Sequence, residues 1–75
     1  MDNRGEKMRS RILEEVNNFR DENGFSPTVR EIGRLVGLSS SSTVYYHLAV
    51  LEELGKIQKS PNTARSITVK NNIRG

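Results

Sequence analysis

The chain has 75 residues, enough for one small domain with a modest core but not for a core plus a deep catalytic cleft. It has no cysteine, which excludes disulfide staples, thiolate metal sites and cysteine chemistry, and no apolar run as long as a membrane span or signal segment; a cytoplasmic protein is expected. The net charge of +3 is unevenly spread: residues 1–31 carry six basic and seven acidic side chains, residues 32–75 six basic and two acidic, a one-sided pattern that suits a polyanionic partner.

Met8, Ile12, Val16 and Phe19 recur at helical spacing, with Leu13 beside them, and predict a first amphipathic helix that Gly24 stops. Residues 1–7 have no apolar anchor and are expected to be flexible. Pro27 keeps Ser26 extended, and Thr28 with Glu31 three positions later reads as a capping box. The helix that follows is short, with Val29, Ile32, Leu35 and Val36 as its apolar stripe and Gly37 as its stop. Four serines and Thr43 then form a tight turn and the N-cap of a third helix, with Ser40 or Ser41 as the cap. Val44, Leu48 and Leu51 give that helix its buried side, and it ends near Leu54-Gly55. The period then changes. Ile57–Lys59 and Ser66–Val69 read as short strands joined by a turn over Ser60–Ala64, and residues 70–75 as a polar tail or linker start.

Three helices followed by a two-stranded β-hairpin describe an α+β, mainly helical domain over residues 8–69, a winged helix-turn-helix. On the third helix, with Val44 as the core direction, Leu48 and Leu51 fall within about 40° of it at 100° per residue. Ser42, Tyr46, Ala49 and Glu53 point away and Tyr45 flanks them. The N-terminal part of this outward side is uncharged and rich in hydroxyls, which can bond base edges or phosphate oxygens. One of the hydroxyls in Ser39–Thr43 is expected to act only as a cap. Lys59 and Arg65 flank the hairpin turn and are candidates for the DNA backbone or minor groove. Arg30 and Arg34 share a face of the second helix, next to Thr28 at its start, where a phosphate could sit. His47 has no metal-binding set around it and reads as a packed or hydrogen-bonded structural histidine.

Three segments, Phe25–Gly33 (FSPTVREIG), Val36–Val44 (VGLSSSSTV) and His47–Ile57 (HLAVLEELGKI), together resemble the N-terminal DNA-binding domain of LexA-type SOS repressors, in the form found in Gram-positive bacteria. The resemblance runs over about residues 8–69. It implies a repressor of damage-response genes that binds a double-stranded operator with two half-sites, with a possible homodimer on DNA. Carried over by position, it assigns base or groove contact to Ser40, Ser42, Thr43, Tyr45 and Tyr46, and backbone contact to Thr28, Arg30, Ser41, Lys59 and Arg65. In the family, RecA filaments trigger self-cleavage by a C-terminal peptidase domain. Neither its Ala-Gly cleavage bond nor its Ser/Lys pair occurs here, so self-cleavage is not expected of this chain. The Tyr45-Tyr46 pair departs from the His-Gly often found there, so no operator sequence is assigned.

A second function class uses the same fold as a protein-interaction module, an anti-repressor or repressor partner anchored by the tyrosine pair. Salt separates the two, because DNA binding weakens steeply with salt and an aromatic interface does not. An enzyme is not expected: no nucleophile or acid/base constellation is present, and no cofactor, metal or small-molecule ligand is called for.

Overall fold

A computed structural model describes residues 3–60 and 65–70, with side chains from Gly5 onward. In chain order the elements are α1 (Asn3–Asn23), α2 (Val29–Val36), α3 (Ser41–Glu53), β1 (Ile57–Gln58) and β2 (Thr68–Val69). The two strands pair antiparallel, Ile57 opposite Val69 and Gln58 opposite Thr68. This is the winged helix-turn-helix expected from the sequence. The wing tip at 61–64 and the tail at 71–75 lie outside the described residues, as do residues 1 and 2.

Each element contributes its apolar stripe to one core. Ile12 and Val16 come from α1, Ile32 and Val36 from α2, Val44, Leu48 and Leu51 from α3, and Ile57 and Ile67 from the wing. Met8, Leu13, Val29, Leu38 and Val69 pack around that centre. Phe19, expected in the core, is only half-buried and meets Phe25 edge-on at 5.7 Å between ring centroids. Among the described residues no helix is long and apolar enough to cross a membrane.

Three details depart from the sequence expectation. Helix α1 begins at Asn3, ahead of the Met8 start set by its apolar stripe, so residues 3–7 are part of the helix. Extending a nucleated helix costs little, and Glu6 in the first turn complements the positive end of its dipole. The strands are shorter than expected, because the Ser66 side chain stands in for the ladder. Its hydroxyl accepts from the Ser60 amide at 3.1 Å and donates to the Ser60 carbonyl at 3.0 Å. At the other end the Lys70 amide donates to the Lys56 carbonyl at 2.8 Å, which continues the pairing past Val69. The third concerns the cap of α3, taken up below.

Candidate nucleic-acid interface

The turn between α2 and α3 fixes how the third helix is presented. Gly37 takes the left-handed conformation with φ 79°, and two reversed bonds close the end of α2. Leu38 donates to the Gly33 carbonyl at 2.8 Å and Gly37 to the Arg34 carbonyl at 3.4 Å. Gly33 is buried where the turn folds back over α2. A methyl group there would sit 3.0 Å from the Leu38 carbonyl oxygen and 3.4 Å from Val44 Cγ2. Alanine would gain up to about 1 kcal/mol of helix propensity, but forcing α2 and the turn apart costs about 1–3 kcal/mol. The second effect wins: Gly33→Ala should lower stability by about 1 kcal/mol, or ~4–8 °C in Tm for a domain of this size. A thermal melt followed by circular dichroism checks it.

Ser40 occupies the N-cap of α3 with extended backbone, but its side chain makes no capping bond. By residue type either Ser40 or Ser41 suits the cap, with one hydroxyl spent there. Ser40 holds the position, Ser41 is the first helical residue, and the Ser40 hydroxyl is not used in a cap. The first-turn amides, which carry the positive end of the helix dipole, therefore receive no bond from it.

The outward face of α3 is as the helical angles require. Ser40, Ser41 and Ser42 are exposed and Thr43 is half-buried. Tyr45 and Tyr46 are 54% and 61% exposed, so neither packs into the domain. The Lys59 ammonium lies over the Tyr45 ring, 5.8 Å from its centroid, joining the wing to the side of this face. Arg30, Arg34, Ser39 and Ser41 line one cleft between α2 and the start of α3, so cations and hydroxyls border the same space. The far end of α3 carries exposed Glu52 and Glu53. That gradient leaves its N-terminal half as the part an acidic polymer can approach.

Behind this face His47 is buried at 8% exposure, and Arg9 of α1 donates to its Nδ1 at 3.3 Å. A ring nitrogen that accepts is unprotonated, which places the proton of the neutral ring on Nε2. Burial, and then the Arg9 charge, hold the imidazole below its ordinary pKa of 6.5. The folded state thus resists the proton more than the unfolded chain does. Stability from this source is complete above pH 6.5 and is lost as the pH falls through the lower, folded value. Denaturant melts between pH 7.5 and pH 5 should show it, and His47→Gln should flatten the slope across that window.

The start of α2 and the wing meet nearby. Thr28 closes the expected capping box: its hydroxyl accepts from the Glu31 amide at 3.1 Å, while Glu31 accepts from the Thr28 amide at 2.8 Å. Arg65 is already occupied. Its guanidinium reaches the two Glu31 oxygens at 2.8 and 3.1 Å and the Ser26 carbonyl at 3.0 Å. It also lies over the Phe25 ring at 4.7 Å. The hydrogen bonds from Arg65 and the Thr28 amide hold the Glu31 carboxyl down to about 2. The pair is therefore intact at neutral pH. Its contribution is present above the ordinary 4.5 and is lost on acidification through about 2. The sequence pointed to Glu31 only as a capping residue and did not single out Ser26 or Arg9. Their partners lie 34 or more positions away, where no periodicity reaches.

A short helix pair joined by a glycine turn, a second helix with an uncharged polar face beside cations, and a hairpin on its flank define a winged helix-turn-helix protein of the nucleic-acid-binding kind. The chain belongs to the LexA DNA-binding domain family, whose model matches residues 6–66. It is similar to the LexA repressor of Geobacillus kaustophilus, 46% identical over 66 residues, which is 88% of this chain and 32% of that protein. It is also similar to the LexA repressors of Syntrophomonas wolfei, 48% identical over 61 residues (81% and 30%), and Staphylococcus epidermidis, 44% over 63 (84% and 31%). The chain thus spans about a third of the length of the curated relatives it matches.

Proposed function

We propose that this chain binds double-stranded DNA sequence-specifically as the DNA-binding unit of a LexA-type repressor, with α3 in the major groove and the wing along the backbone or minor groove. The observation that carries this is the N-terminal half of α3. It is exposed, uncharged and lined with hydroxyls and phenols, on a helix whose opposite side buries Val44, Leu48 and Leu51 together with His47. Such a surface suits direct reading of base edges, since hydroxyls bond either donors or acceptors and an aromatic edge packs on a thymine methyl. Ser40, Ser42, Thr43, Tyr45 and Tyr46 take the groove. Thr28, Arg30, Ser41 and Lys59 take the phosphates; the Thr28 hydroxyl accepts within the capping box and keeps its own proton to donate.

One copy carries few cations, so tight binding calls for two copies on two half-sites about one helical turn, ~34 Å, apart. The test is salt. With about four to six phosphates neutralised by the two copies together, log K should fall with log salt at a slope of about −4 to −5, losing ~10²–10³-fold between 50 and 200 mM. Fluorescence anisotropy with a labelled duplex measures this. A flat salt response, or capture of a repressor in place of DNA, would favour a protein-interaction role for the tyrosine pair.

A further inference from the structure

The hairpin is too small to hold its own direction. Two paired residues per strand form a ladder that is marginal in water, so its orientation has to come from elsewhere. The structure supplies two ties to the corner between α1 and α2. The buried Ser26 hydroxyl donates to the Ile67 carbonyl. Two residues earlier on the returning chain, Arg65 spans the Ser26 carbonyl and both Glu31 oxygens. Glu31 is itself fixed by the Thr28 amide, so the tie ends on the first turn of α2.

These bonds engage three of the five guanidinium N–H donors, in the forked geometry that makes an Arg–carboxylate pair directional. The Phe25 ring covers the guanidinium as well. An arginine held this way is built into the domain. We infer that Arg65 is a positioning residue: with Glu31 and Ser26 it clamps the returning strand to the start of α2 and so sets the angle at which the wing meets DNA. This rests on the DNA-binding reading above and replaces direct phosphate contact as the role of Arg65. Lys59, whose only described partner is the face of the Tyr45 ring, remains the wing cation that can turn to a phosphate.

The test uses Glu31→Gln and Arg65→Ala, singly and together. Glutamine keeps an oxygen to accept the Thr28 amide but loses the charge that holds Arg65. Hydrogen exchange without DNA reads the clamp itself. The Lys70 and Ser60 amides, which pair across the hairpin, should exchange about tenfold faster in either variant while amides inside α1 keep their rates. On duplex DNA both single variants should weaken binding by a similar factor of about ten, with the double variant no worse and the salt slope unchanged. The proposal is overturned if wing exchange does not change. It is equally overturned if Arg65→Ala lowers the salt slope by about one while Glu31→Gln binds as the parent does. If the parent chain binds no duplex, the functional reading fails and the exchange rates alone decide the clamp.

Discussion

Replacing Tyr46 and Ser42 together by alanine is expected to abolish retention of duplex DNA in a gel shift while leaving the thermal midpoint in place. Both side chains lie on the outward face of α3, and Tyr46 is 61% exposed. Its one described ring contact is edge-on to His47, with 5.3 Å between centroids. Truncating exposed side chains away from the core changes stability by about 0.5 kcal/mol or less. At an interface the balance reverses. A large aromatic anchor is worth about 2 kcal/mol or more, and a specific groove contact about 1–3 kcal/mol. Summed for the pair, the loss is about 3–5 kcal/mol, or ~10²–10⁴-fold in affinity. Affinity unchanged by both substitutions would remove α3 from the groove.

Leu48→Ala is expected to produce the largest loss of stability of any single change on α3. Leu48 has no exposed surface and sits among core residues from all three helices and the wing. Removing a buried leucine side chain costs about 2–5 kcal/mol, depending on how far the cavity closes. A domain this small stands near the low end of the usual 5–15 kcal/mol, so the variant should keep only about 0–3 kcal/mol of its stability. Urea unfolding followed by helical circular dichroism gives the number, and a change below about 1 kcal/mol would contradict the packing described. The two experiments separate the sides of one helix, since Leu48→Ala weakens the fold and the Tyr46 and Ser42 changes remove only what the fold presents.

That two-sidedness was legible in the sequence. Val44, Leu48 and Leu51 repeat at helical spacing and all three are buried, while Ser42, Tyr45 and Tyr46 are exposed where the angles put them. The capping box at Thr28 and the glycine end of α2 at Gly37 could also be read directly, because both motifs lie within a few residues of chain. What was hidden depends on contacts between distant segments. A basic residue beside a turn looks solvent-facing, which makes Arg65 a phosphate candidate in the sequence and leaves its bonds within the domain unseen. Its partners, Glu31 and the Ser26 carbonyl, become neighbours only once the wing has folded back. His47 was legible as structural, but Arg9 as its donor was not, since nothing local links α1 to α3. Ser40 fell at the cap as residue type suggested, while its unused hydroxyl is a matter of side-chain direction that residue type does not determine.

In the function proposed above, the N-terminal half of α3 and the wing form one DNA-facing surface. Titrating a duplex, selected from random sequence for binding, into the 15N-labelled chain tests it most directly. The amide shifts should concentrate in Ser40–Tyr46, with smaller changes at Thr28, Arg30 and Lys59, and should fade as salt is raised. Shifts confined to the exposed side of α1, where Glu6, Lys7, Ser10 and Glu14 line a shallow depression, would contradict it, as would a spectrum that does not respond to DNA.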